Sequence, residues 1–180
     1  MLERHKIIIE MPLFDEAAQA IKETGGYQRE ITAQELSSIM SGVIVDLVQG
    51  QEVIKASVPV MNVKIEEAKG IVNGNVKVEK PIQATINVNL ILGNSTELNR
   101  IKLDELYIQQ EADFAAKLAL KAVNIEGKAR ETLKDPNQSL GSVLASQLEP
   151  RGVKLTEIGL HFNEQTLAVN LTGILFSSSY

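Results

Sequence analysis

Residues 60–92 read VMNVKIEEAKGIVNGNVKVEKPIQATINVNLIL. Asn73-Gly74 lies in the middle of this run, and Asn-Gly is the strongest short-range signal for a two-residue type I′ hairpin turn. With Val72 and Asn75 flanking that turn, the register of one long hairpin follows. Ile71 faces Val76, Ile65 faces Ile82, Val63 faces Ala84 and Met61 faces Ile86. The other face pairs Lys64 with Gln83 and Asn62 with Thr85, and Glu67 stands opposite Lys80. Apolar meets apolar and polar meets polar, and a one-residue slip would exchange the faces. Each arm is longer than the usual strand of about 3–10 residues. A large apolar cover is therefore expected over one face.

The flanking sequence supplies helices for that cover. Upstream, His5 to Met11 reads as a short strand, Pro12 ends it, and residues 13–24 form a short helix before the break at Gly25-Gly26. Thr32 and Glu35 form a capping box, with Ile31 and Leu36 as a hydrophobic staple. Leu36, Ile39, Met40, Val43, Ile44, Leu47 and Val48 then recur at helical spacing up to Gly50. A lead-in strand spans Glu52 to Val58. Downstream, Gly93-Asn94-Ser95 turns the chain into a strand at Ile101 to Gln110. One long second helix follows, with Phe114, Leu118, Ala122, Ile125, Ala129 and Leu133 in one stripe. Asp135 caps a further helix that starts at Pro136. Two strands close the chain. The apolar phase slips between Val153/Leu155 and Ile158/Leu160/Phe162, which predicts a bulge near Thr156-Glu157. Leu167, Val169, Leu171, Gly173 and Leu175 alternate cleanly, and Ser177 to Ser179 form a polar tail.

The chain of 180 residues suits one domain, and 44% hydrophobic with 23% charged residues is an ordinary globular balance. Aromatic residues make up 4% and Trp is absent, so the core is aliphatic. A net charge of −5 argues against a nucleic-acid partner, which needs a basic footprint. Cysteine is absent, which removes disulfides, thiolate nucleophiles and cysteine metal sites. No run approaches the ~18 apolar residues of a membrane span. No signal-peptide apolar region follows Met1-Leu2-Glu3-Arg4. As written, the chain is expected to be cytoplasmic, with peripheral membrane contact open to it.

Chemistry-bearing residues are few. His5 and His161 lie in separate strands without partners at metal spacing. Glu66-Glu67 and Asp104-Glu105 are strand neighbours, which point to opposite faces and cannot share a substrate. Gly70 to Gly74 is followed by neither Lys nor a helix and is no phosphate loop. Ser37, Ser38 and Ser41 lack a nucleophile-elbow context. No catalytic site, metal or cofactor is expected. Lys117, Lys121 and Lys128 border the second long helix. They read either as a solvated edge or as lysines that snorkel toward anionic headgroups.

The order of elements, with the capped helix Ile31-Thr32-Ala33-Gln34-Glu35-Leu36, the long hairpin, the long helix, the segment Gln147 to Val153 and the closing hairpin 153–171, resembles the tubular lipid-binding superfamily in its small single-module bacterial form. The resemblance spans roughly residues 30–175. It implies a curved sheet around a long helix, acyl chains held in the seam between them, and no catalytic residues. The absence of an N-terminal anchor or export signal, and the extra strand and short helix at the start, depart from that pattern.

The expected fold is α+β, a long curved antiparallel sheet wrapped around long amphipathic helices. A single domain over 1–180 is expected, with an N-terminal extension at 1–30 and a lipid-binding-like module at 31–176. The expected function is non-enzymatic binding or carriage of a lipid or similar aliphatic molecule. Met61, Val63, Ile65, Ile82, Ile86 and Val88 would line the seam from the hairpin, and Phe114, Leu118 and Ile125 from the helix. The alternative is a structural or protein-interaction module in which the same residues fill a dry core.

Overall fold

Residues 11–49, 55–56, 60–80 and 83–175 are described by the computed structural model. The strand expected at 5–11 falls almost wholly outside them, as do most of the lead-in strand, Gly50 and the polar tail. Helix α1 (Pro12–Thr24) has proline in its first turn. It ends at Gly25, whose φ of 84° lets its N–H reach Ile21 O at 2.8 Å. Its buried face, Leu13, Phe14, Ala17, Ala18 and Ile21, meets the core. Helix α2 (Ala33–Gln49) begins with the expected capping box. Glu35 N donates to Thr32 Oγ1 at 3.2 Å, and Thr32 N donates to Glu35 Oε1 at 3.1 Å. Ile31 and Leu36 are fully buried, as a staple requires. Between α1 and α2 lies a strand that apolar alternation does not announce, β1 (Gly26–Ile31).

The central sheet keeps its expected faces but not its expected turn. Its strands are β2 (Lys55–Ala56), β3 (Val60–Glu66), β4 (Lys69–Lys80), β5 (Ala84–Asn94) and β6 (Ile101–Glu111). All described pairs are antiparallel, in the order β2-β4-β5-β6, with β3 also on β4. The β3–β4 turn is Glu67-Ala68, with φ of 52° and 59°. Asn73-Gly74 instead lies inside β4. Ile65 pairs with Gly70, Val63 with Val72 and Met61 with Gly74. Val76 pairs with Ile86, not with Ile71. Asn62 pairs with Asn73, and Thr85 with Lys77. Lys80 pairs with Lys55, leaving Glu67 in the turn. Ile82 lies outside the described residues.

The physical reason is packing. A Cβ at Gly70 would stand 2.8 Å from the Phe162 ring, and one at Gly74 would stand 2.7 Å from Met61 Sδ. Both glycines make room on a buried face, and neither has a positive φ. Moving the turn from 73–74 to 67–68 is an even displacement. Met61, Val63, Ile65, Ile86 and Val88 therefore still share a face with Val76 and Val78, while Val72 replaces Ile71 on it and Ile71 passes to the other.

A second sheet, in the order β1-β8-β7, is built by β7 (Val153–Phe162) and β8 (Leu167–Leu175). The predicted bulge is present, with the register shifting between Leu155 and Glu157. The expected single sheet is thus two. They meet where Asn94 hydrogen-bonds the Phe162 backbone and Leu160 N donates to Asn99 O.

The expected second long helix is also two, α3 (Phe114–Val123) and α4 (Ile125–Leu133). Asn124 between them has φ 53°, a left-handed conformation that stops an α-helix. A Cβ on Gly127 would clash with the Asn124 carboxamide at 2.6 Å, so the glycine admits this corner. Helix α5 (Pro136–Leu148) is capped by Asp135, whose carboxylate accepts from Asn137 N at 3.1 Å. One aliphatic core joins α1, α2, α5 and both sheets. The architecture is α+β with antiparallel sheets.

Candidate functional site

Five of the six sheet residues expected to line the seam share one face, and Ile82 lies outside the described residues. Val63, Ile65, Ile86 and Val88 are buried on one face, and half-buried Met61 packs beside them. They share the core with Leu36, Ile39, Met40, Val43 and Ile44 of α2. Ser37 Oγ ties α2 to β3 by donating to Met61 O at 3.3 Å. The wall over β3 is therefore α2.

The helical half is not assembled as expected. Phe114 is 78% exposed and Leu118 is 53% exposed, so neither is buried against the hairpin. Ala116 of the same helix is fully buried. Two residues subtend about 200° on an α-helix, so burying position 116 turns 114 and 118 outward. The corner at Asn124 also breaks the stripe that was to run on to Ile125. The side chains of Ile125 and Lys121 lie outside the described residues. Lys117 is exposed beside Leu118, and Lys128 is exposed on α4. Helix α3 thus presents an outward apolar pair, Phe114 and Leu118, with a cation next to it.

No catalytic grouping assembles among the described residues. No three His, Asp or Glu side chains there could hold a metal ion. His161 is exposed on β7, and His5 lies outside the described residues. The principal polar cluster ties α1 to β1 and α2. Arg29 bridges Glu16 at 3.0 Å and Glu35 at 3.1 Å, and the Tyr27 hydroxyl donates to Glu16 at 3.1 Å. Burial pushes the Tyr27 phenol above its ordinary range. The Tyr27 hydrogen bond, followed by the pull of Glu35, raises Arg29 further. A guanidinium is charged at any working pH, so this cluster is an ion pair rather than a proton relay.

A second surface escaped the reading of the sequence. On the outer face of the central sheet Asn62, Asn73, Asn89 and Tyr107 stand in one cross-strand row. Asn75, Asn87 and Gln109 form the next row. A shallow concavity of about 470 Å³ is lined by Ile71, Asn73, Asn89, Ile91, Glu105 and Tyr107. The signal lay in the alternation Asn73-Gly74-Asn75 and Asn87-Val88-Asn89, hidden because Asn-Gly reads as a turn.

No family model matches the chain, and no curated protein matches it at a significant level. Among the described residues no helix is long and apolar enough to cross a membrane.

Proposed function

We propose that this protein binds or carries a lipid or similarly aliphatic molecule and performs no chemistry on it. The observation that carries this reading is the outward Phe114–Leu118 pair on α3, in a protein whose core is built almost wholly of Ile, Leu, Val and Ala. Placing two large apolar side chains in water forgoes about 1.5–3 kcal/mol each. An acyl chain laid along α3 recovers that energy, and the exposed Lys117 beside the pair offers a charge to an anionic headgroup. In this reading the central sheet curves around the helices, α3 is the wall that takes up the ligand, and contact with a membrane surface is transient. The resemblance to tubular lipid-binding proteins in element order points the same way.

The test is native mass spectrometry of the purified protein, followed by titration with a fluorescent fatty acid. Co-purified lipid, and saturable binding weakened in a Phe114→Ser/Leu118→Ser variant, is the expected result. No bound lipid and no uptake would refute the reading. The second reading, an interaction module with a filled core, draws on the near-complete burial of Ile86 and Val88 against packed neighbours. In that case Phe114 and Leu118 would contact a protein instead.

A further inference from the structure

We propose that the outer face of the central sheet is a binding site for a neutral polyhydroxylated chain, an oligosaccharide, independent of the lipid reading. Asparagine is disfavoured in strands, because its carboxamide competes for the backbone and packs poorly on the pleat. Yet Asn62, Asn73, Asn75, Asn87 and Asn89 all lie within strands, and all on one face. Mutual satisfaction accounts for one pair of the five. Asn75 Nδ2 donates to Asn87 Oδ1 at 2.9 Å. The carboxamides of Asn62, Asn73 and Asn89 make no such bond among the described residues. Each therefore presents a donor and an acceptor side by side, the pair that two neighbouring hydroxyls complement.

The row also carries the other half of a sugar site. Tyr107, 60% exposed, ends the Asn62–Asn73–Asn89 row. Half-buried Ile71 and Ile91 floor the concavity beside it. A pyranose has an apolar C–H face and a hydroxyl rim. The first stacks on an aromatic ring or aliphatic floor, and the second meets amides. Glu105 adds a carboxylate that accepts from a hydroxyl, and Lys64, at the other end of the same row across Ile71 and Ile91, offsets its charge, so the face favours neither sign of ion. The strands succeed each other at about 4.8 Å, close to the length of one pyranose unit. A chain laid across β3, β4, β5 and β6 would thus meet one amide or the tyrosine per sugar. Asn87, Asn75 and Gln109 widen the platform by a second row.

The experiment uses the full chain, isotopically labelled, titrated with cellohexaose, maltohexaose and chitohexaose at millimolar concentration. Asparagine side-chain amide resonances are followed by NMR. At least one of the three should shift the Asn73 and Asn89 amides saturably. Tyr107→Ala and Asn89→Ala should each weaken binding about tenfold or more, equivalent to about 1.4 kcal/mol. Tyr107→Phe should keep most of it, because the ring face remains. All three variants should melt with the parent and take up fatty acid as the parent does, which separates this site from the lipid reading. Overturning results are no shift with any of the three sugars, shifts confined to other residues, or binding untouched by Tyr107→Ala and Asn89→Ala.

Discussion

Asn94 holds Phe162 by both of its backbone polar groups. Its Oδ1 accepts from Phe162 N at 2.7 Å, and its Nδ2 donates to Phe162 O at 3.0 Å. A side-chain carboxamide here takes the place of a strand, giving the end of β7 the two bonds that a ladder neighbour would give. Two half-buried hydrogen bonds contribute about 1–3 kcal/mol together. Asn94→Ala should lower the denaturation midpoint accordingly with an unchanged m value. Asn94→Asp should cost at least as much, because it keeps the acceptor for Phe162 N but sets an anionic oxygen against Phe162 O, where two acceptors repel. An Asn94→Ala midpoint equal to the parent's would show that the clip contributes nothing to stability.

Gly74 separates a packing glycine from a turn glycine. Gly74→Ala brings a methyl against Met61 Sδ and should cost about 1–3 kcal/mol. Met61→Ala on top of it should recover much of the loss, a coupling that a double-mutant cycle measures. Strict additivity would show that the contact with Met61 is not the cause.

The true turn carries strain that substitution can relieve. Glu67 and Ala68 both have positive φ, which costs roughly 1–2 kcal/mol for a residue with a Cβ. The double substitution Glu67→Asn/Ala68→Gly installs the Asn-Gly pair that a type I′ turn prefers, and it should raise the melting temperature. Should the midpoint fall or stay, the turn is not the conformation adopted in solution.

Helix α3 offers a contrast between stability and uptake. Leu118 is more than half exposed, so Leu118→Ala should change stability by no more than about 0.5 kcal/mol. The same change should weaken fatty-acid binding measured by fluorescence. A large loss of stability would place Leu118 in a packed environment instead.

Tyr27 should leave a mark at alkaline pH. Burial holds its phenol above the ordinary value, so the folded chain keeps a proton there that the unfolded chain has lost. The stabilisation is complete below the ordinary phenol value of about 10 and is lost as pH rises through the folded one. Tyr27→Phe should flatten that part of the stability profile. An ultraviolet difference titration of parent against Tyr27→Phe should show one late-ionising tyrosine, and an ordinary transition in its place would contradict the assignment.

Local signals in the sequence translated well. The Thr32/Glu35 box, the Asp135-Pro136 start and the slip near Thr156-Glu157 each depend on residues a few positions apart, and each appears as expected. The faces of the hairpin were legible because alternation survives any even shift of the turn. The turn itself was not, since the preference of Asn73-Gly74 yields to the space needed by Met61 and Phe162. Phe162 is far along the chain from Gly70, and no local pattern records that meeting. In α3, two stripes compete, and the small residue Ala116 wins the interior over Phe114 and Leu118. Asn124 then turns what periodicity reads as one helix into two. Strand β1 exists through its pairing with β8, a long-range cause that Tyr27-Gln28-Arg29-Glu30 does not advertise.

A carboxamide clasp sits at each end of the β5–β6 connection. Asn94 closes on Phe162 from 68 positions away, and Asn137 reaches back 36 positions, its Oδ1 accepting from Ile101 N and its Nδ2 donating to Ile101 O. The β5–β6 hairpin forms from near neighbours, whereas both clasps must first close long loops at an entropic cost. The hairpin's own pairing is thus short-range, and α5 and β7 supply the distant half of each clasp. In a chain emerging from synthesis, the residues of that hairpin appear before Asn137 and Phe162, so each clasp closes only when its later partner has been made.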